Sequence, residues 1–391
     1  MTGGTGVVGF GRPGCRRRHL NDTTAPRRGI TAMSIQRVVR FVSALGLAAV
    51  CGSTAHAGGE AGPISLRDQG FFWVGVRTKD VPASPNAGPF AGGGPQVSVY
   101  GQMHVGFQLV AERKHPYPLI LVHGGGGQAT DYMGTPDGRD GWLDYFLAAG
   151  FDVYFVDRPA HGRSPNNTAY GNGALAPPPA SGFMGVLAKA TQWPGDATDP
   201  TDPSVLQHVA SSEPGPTVDS VLLKENFAEL LDKVGPAIVI THSAGGPSGW
   251  LAADARPDKV KALVAIEAAG GFTNLPLTWQ PALPAGEALA TEKIAATEPG
   301  KAACDLQPAA SLRTLPAFAN IPVMGILAPE SRMFTPNYHC TIDFLNQAGG
   351  QATLFKLEEH GITGNGHFMN EDRNNGDIAR LMIEWIEAVE K

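Results

Sequence analysis

Three short segments of the 391-residue sequence carry residue types that could perform covalent chemistry together. Thr241-His242-Ser243-Ala244-Gly245-Gly246 follows an apolar run and precedes a helical pattern. A serine in that setting sits on a sharp strand-to-helix turn with its hydroxyl exposed, and small neighbours are needed because bulk two positions away would strike the strand or the helix. Thr241 stands where glycine is more usual. His123-Gly124-Gly125-Gly126-Gly127 follows an earlier apolar run, and glycine there lets backbone N–H groups approach a substrate oxygen. The expected oxyanion donors are the amides of Gly125 and Ala244. A phosphate cradle is the weaker reading, because neither G-x-x-x-x-G-K-[ST] nor G-x-G-x-x-G is present at the run. Asn365-Gly366-His367-Phe368 supplies a general base in the chain order serine, acid, histidine. His360 is its rival, seven residues earlier, without the small-residue loop that surrounds His367. His123 and His242 adjoin the two turns and read as packing or orienting groups. The constellation is that of acyl transfer through a covalent serine intermediate, with no metal or cofactor required.

These side chains need a frame that holds them at the ends of strands. Leu119–Val122, Val153–Val156, Ala237–Ile240, Ala262–Ile266, Pro322–Leu327 and Ala352–Leu357 are short apolar runs of the kind buried on both faces of a parallel sheet. Between them Trp142, Tyr145, Phe146 and Ala149 recur at helical spacing, as do Leu223, Phe227, Leu230, Leu231 and Val234. Ile378, Leu381, Met382, Trp385, Ile386 and Val389 mark a last helix. Phe71–Arg77 and Val97–Glu112 precede this alternation and read as two antiparallel opening strands. The predicted architecture is therefore one α/β domain, with a mostly parallel sheet and helices on both faces. Residues 165–218 and 271–316 interrupt the alternation. Both leave the carboxyl ends of strands, where open α/β sheets bind ligands, so they are expected to form a lid or pocket wall. Phe183, Met184, Trp193, Phe272 and Trp279 are their candidate apolar wall residues.

Two glutamates could hold the imidazole. Glu267 directly follows Ala262–Ile266, and Glu330 follows Pro322–Leu327 one strand later, the more usual place for a triad acid. Residue spacing leaves both open.

Composition bounds the partners. The chain is 42% hydrophobic and 17% charged, with 50 glycines and 32 prolines spread among loops. Arg37 and Arg40 precede the apolar run Phe41–Val50, and Ala55-His56-Ala57 follows, the pattern of an export signal over residues 33–57 cleaved after Ala57. The run falls short of the roughly 20 residues that span a bilayer. Cys51 follows Val50, where a lipoprotein site wants a small residue. Residues 1–32 read as an upstream extension, and 58–391 as the catalytic domain. Removal of residues 1–57 takes away eight arginines and one aspartate, leaving 22 basic against 35 acidic residues and a formal charge of −13. That balance argues against nucleic acid or an anionic membrane as partner. It also leaves two cysteines, Cys304 and Cys340, which an exported chain is expected to join.

His123-Gly-Gly, Thr135-Pro-Asp-Gly-Arg139, Gly141-Trp-Leu-Asp-Tyr-Phe146, Asp157-Arg-Pro-Ala-His-Gly-Arg-Ser164, Thr241-His-Ser-Ala-Gly-Gly246, Ile266-Glu267 and Gly361-Ile-Thr-Gly-Asn-Gly-His367 together resemble the Alcaligenes-type secreted bacterial esterases. These are a branch of the α/β-hydrolase superfamily with a Ser-Glu-His triad. The resemblance runs from about residue 70 to the C terminus. It implies an α/β-hydrolase fold and places the acid after the strand next to the nucleophile strand, which is Glu267. It further implies a homodimer and an exported esterase acting on a small-molecule ester. The insertions hold no Lys or Arg cluster, which favours a neutral ester over an anionic one. An amidase or acyltransferase uses the same intermediate, and a silent binding protein could share the fold. Dehalogenase and epoxide-hydrolase chemistry would need an aspartate at position 243.

Overall fold

The computed structural model describes residues 61–81, 96–170, 176–284, 286–296 and 298–390. The expected upstream extension, export signal and cleavage site lie outside the described residues.

The chain opens with β1 (Leu66–Val74), β2 (Arg77–Val81), β3 (Gln96–Tyr100) and β4 (Met103–Val110). The run Val97–Glu112 is expected to be one strand. The chain instead turns at Gly101, whose φ is +76°, and splits that run in two. β2 and β3 form a separate hairpin, while β1 pairs antiparallel with β4. β5 (Leu119–Val122), α1 (Trp142–Ala149) and β6 (Val153–Asp157) follow as a right-ordered strand–helix–strand unit. The 165–218 insertion carries the short α2 (Met184–Leu187) and α3 (Pro203–Ala210). Then come α4 (Ser220–Val234), β7 (Ala237–His242), α5 (Gly246–Ala255) and β8 (Val260–Ile266). The second insertion holds the hairpin β9 (Glu292–Ile294) and β10 (Cys304–Leu306). β11 (Pro322–Leu327), α6 (His339–Gln347), β12 (Gln351–Lys356) and α7 (Asn375–Val389) complete the chain.

The eight-stranded sheet has the order β1-β4-β6-β5-β7-β8-β11-β12. β4 joins β1 and β6 antiparallel, and every pair from β6 to β12 is parallel. All residues of β5 and β7 are buried, which is why these strands read as continuous apolar runs rather than alternating ones. Apolar layers lie on the two faces. Phe227, Leu230 and Leu231 of α4 pack with Trp250 and Leu251 of α5 on one face. Trp142 and Phe146 of α1 pack with Ile378, Met382 and Ile386 of α7 on the other.

Helix ends follow their local chemistry. Asp219 caps α4 by accepting from Val221 N–H and Leu222 N–H, and Gly235 closes it at a φ of +89°. Asp144 reaches back to Gly141 N–H at 3.0 Å to start α1. The expected Cys304–Cys340 disulfide is present and ties β10 to the start of α6. No helix among the described residues is long and apolar enough to cross a membrane.

Candidate active site

β7 delivers Ser243 to the centre of the sheet's carboxyl edge. The serine has a φ of +50°, a left-handed conformation that a residue with a Cβ adopts only when its surroundings enforce it. Those surroundings are tight. A Cβ on Gly245 would lie 2.4 Å from His123 O, and one on Gly246 would lie 2.5 Å from Ala268 Cβ. The small residues are thus required by contact with the β5 and β8 loops, and the turn leaves the Ser243 hydroxyl outside the core.

His367 Nε2 lies 2.9 Å from Ser243 Oγ, and its Nδ1 lies 2.5 Å from Glu267 Oε2. Three side chains from three separate loops are joined in one hydrogen-bonded chain, in the geometry expected of nucleophile, base and orienting acid. Glu267 is fully buried, and its own φ of +42° turns the carboxylate inward immediately after β8. Ala328 N–H donates to Oε1 at 2.9 Å and Ser331 Oγ donates to Oε2 at 2.6 Å. A buried carboxylate without such partners would cost several kcal/mol. Phe334 stacks on the His367 ring at 4.9 Å and 14°. Neither Ser331 nor Phe334 was singled out from sequence. A serine and an aromatic in the loop after β11 carry no motif, and only the fold brings them to Glu267 and His367.

Of the alternatives, Glu330 is half-buried, and its backbone N–H donates to Asn365 O at 3.0 Å. His360 is exposed and stacks on Phe355 at 5.2 Å. His242 is buried beside His367, with ring centroids 4.6 Å apart, and its Nε2–H donates to His367 O at 2.9 Å. Burial, reinforced by the neighbouring His367, holds the His242 pKa well below the usual histidine value. His242 therefore stays neutral and positions the loop without adding a second charge beside the base.

Gly125 comes alongside Ala244: a Cβ on Gly125 would lie 3.2 Å from Ala244 Cβ. The two residues expected to donate to an oxyanion are thus neighbours beside the elbow. The peptide that carries Ala244 N–H is anchored at its other end, where Ser243 O accepts from Ala269 N–H at 2.8 Å.

The Thr135–Phe146 block now has a physical role. Arg139 donates to the carbonyls of Glu371, Asp372 and Arg373 at 3.1 Å each, bracing the loop that carries His367. Within that loop Asp372 accepts from Asn365 Nδ2 and Gly366 N–H, and burial pushes its pKa up to about 7.

Ser243 and His367 open into a cavity of about 540 Å³. Its lining combines apolar side chains, Phe183, Val186, Met333 and Phe368, with the titratable Asp131, His208, Glu213 and Glu371. The 165–218 insertion forms part of this cavity, as expected. It docks on the histidine loop through Gln192 N–H to Gly364 O, Arg373 N–H to Gln192 O, and His208 Nδ1 against Glu371 Oε2 at 2.7 Å. Of the five apolar wall candidates, Phe183 alone lines this cavity. Trp193 and the partly buried Met184 instead form the insertion's own small core, where Trp193 packs with Leu187 and Val205. Phe272 and Trp279 belong to the main core against Trp250 and Phe344. Large aromatics were recruited for packing because each removes more apolar surface from water than a short insertion could otherwise bury.

One group of side chains in ligand-like proximity occurs among the described residues, Cys304, His339 and Cys340. Its two sulfurs are bonded to each other and offer no thiolate.

The family described as the alpha/beta hydrolase fold matches residues 117–289. A probable secreted lipase, phiG, from a fungal species (strain ATCC 74256) is 35% identical over 303 residues, covering 70% of this chain and 82% of the relative. The solved structure of a bacterial esterase superposes with a TM-score of 0.64 at 23% identity, covering 85% of this chain and 99% of that one, and so supports the fold. With the sheet order and the matched segments in agreement, this chain is a member of the α/β-hydrolase family, of the esterase and lipase type.

Proposed function

We propose that the protein is an exported serine esterase that hydrolyses neutral carboxylic esters through an acyl-enzyme. The observation that carries this reading is the continuous hydrogen-bonded chain from Ser243 Oγ through His367 to the buried Glu267, opening on the cavity. In the forward step His367 Nε2 takes the hydroxyl proton as Ser243 Oγ attacks the ester carbonyl. Glu267 holds Nδ1–H and offsets the charge of the imidazolium. The amides of Gly125 and Ala244 receive the oxyanion, and His367 then returns the proton to the leaving alcohol. Water, activated by the same imidazole, releases the acid.

The cavity walls support the substrate class. Among its described lining residues are several carboxylates and no Lys or Arg, so an anionic ester would meet repulsion, whereas a neutral ester can lie along Phe183, Val186 and Phe368. Export is supported by the basic-then-apolar segment over 33–57, by the disulfide and by the relative named as secreted.

Hydrolysis of p-nitrophenyl esters of rising acyl length by the wild type and by Ser243→Ala tests this. The substitution should leave the melting transition intact and lower turnover by about 10⁴-fold or more, since the covalent route disappears. Wild-type turnover in Ser243→Ala would refute the reading.

A further inference from the structure

Behind the oxyanion loop lies a buried cation with no hydrogen-bonded counter-ion among the described residues. Arg158 follows β6 and is only 8% exposed, yet it forms no ion pair among the described residues. Its Nη2 donates to Gly124 O at 2.7 Å and approaches His161 Nε2 at 3.4 Å, and its Nη1 reaches Ala244 O at 3.4 Å. All three acceptors are neutral, and Nε has no hydrogen-bond partner among the described residues. Removing a guanidinium from water with no carboxylate hydrogen-bonded to it, and only Asp131 acting on it through space, is unfavourable, so such an arrangement points to a use for the charge.

The local hydrogen bonds show where that charge is directed. Arg158 N–H donates to His123 Nε2 at 3.0 Å, so His123 carries its proton on Nδ1 and donates it to Gly124 O at 2.8 Å. Burial first, then the nearby Arg158, hold the His123 pKa well below the ordinary value, which keeps that tautomer neutral. Gly124 O therefore accepts from both an imidazole and a guanidinium. It is the carbonyl end of the same peptide whose N–H end is Gly125 N–H. Drawing electron density toward the carbonyl makes that N–H a stronger donor, and hydrogen bonds in series reinforce one another.

We infer that Arg158 is a positioning residue for the oxyanion hole: its buried charge polarises and fixes the Gly124–Gly125 peptide and supplies the positive potential against which the tetrahedral oxyanion forms. This rests on the assignment of Gly125 and Ala244 as donors made above. The charge does its work only when negative charge appears at the carbonyl oxygen, so it stabilises the transition state and not the bound ester.

The test compares Arg158→Met, which retains bulk and loses charge, with Arg158→Lys. In Arg158→Met kcat should fall ten- to a hundredfold with KM within about twofold, less than loss of a direct donor costs. Affinity for a trifluoromethyl ketone, which forms a tetrahedral oxyanion on Ser243, should fall by the same factor, while affinity for a planar ketone of the same shape stays unchanged. Should Arg158→Met fail to fold, Arg158→Lys decides. The groups facing this position are His123, His161, Tyr132 and Asp131. Burial already pulls Arg158 down to about 10, and burial would lower a lysine there as well. Arg158→Lys should therefore lose kcat as pH rises above neutrality, beyond any change that ionisation of Asp131 causes in the wild type. Overturning results are full kcat and full ketone affinity in folded Arg158→Met, or a pH profile of folded Arg158→Lys that parallels the wild type. If Ser243 itself fails to react with the ketone, the esterase reading fails instead, and the two failures are distinct.

Discussion

Glu267 and Glu330 follow neighbouring parallel strands, β8 and β11, and both come near the same histidine loop. Their fates differ because of where each lies past its strand. Glu267 comes directly after Ile266, in a left-handed conformation, and turns into the core, where His367, Ser331 and Ala328 satisfy it. Glu330 comes three residues after Leu327, remains half-buried, and reaches the loop through its backbone. On the proposed reading, the acid of this site is the carboxylate that desolvation and orientation at a strand end bring to the histidine, not the one in the more usual place along the chain.

The comparison can be broken by substitution. Glu267→Gln keeps the volume, loses the charge and presents an amide to an imidazole that must keep its proton on Nδ1, so kcat should drop by about 10² to 10⁴. Steady-state kinetics on folded protein measures this, and retention of more than a tenth of wild-type kcat would exclude Glu267 as the acid. Ser331→Ala removes one donor from Glu267 Oε2 and loosens the carboxylate; a loss of roughly tenfold in kcat, with KM little changed, sharpens the claim that the donors after β11 orient the acid.

A smaller effect concerns the docked insertion. Burial lowers the His208 pKa, but the facing carboxylate of Glu371, aided by Asp131, more than offsets this and leaves it above the ordinary histidine value. The ion pair therefore stabilises docking fully below pH about 6.5 and is lost as pH rises through the raised value. Burial and Glu371 also push Asp131 up to about 7, and its ionisation repels Glu371 while favouring the protonated His208. Amide exchange over α3, corrected for intrinsic rate, should accelerate severalfold between neutral and alkaline pH, and Glu371→Gln should flatten that dependence. The smallest effect closes the comparison: Glu330→Gln should leave kcat within about twofold of wild type. A large loss there, with a small one at Glu267, would reverse the assignment.

Much of this was legible in the sequence, for physical reasons that can be named. Doubly buried strands such as β7 leave no polar alternation, so their apolar runs stand out, and Asp219 and Gly235 mark the ends of α4 by cap chemistry. The elbow was readable because Gly245 and Gly246 answer a steric demand within six residues. Ser331, Phe334 and Arg158 were not, because each acts through a contact that the sheet order creates between distant segments. The division of Val97–Glu112 at Gly101 was missed because an apolar run shows no break where a single glycine turns it. Trp193, Phe272 and Trp279 show the converse: residue type indicated burial, but not whether the burial was in a core or against a substrate.

The central claim, that Ser243 carries the acyl group, is tested most directly by acid quench during turnover of a p-nitrophenyl ester, followed by mass spectrometry of the peptide that spans Ser243. The account predicts an acyl adduct on Ser243 in wild type, absent from Ser243→Ala. Steady ester turnover in the wild type with no acyl mass on that peptide, while Ser243→Ala hydrolyses the ester at the same rate, would contradict it.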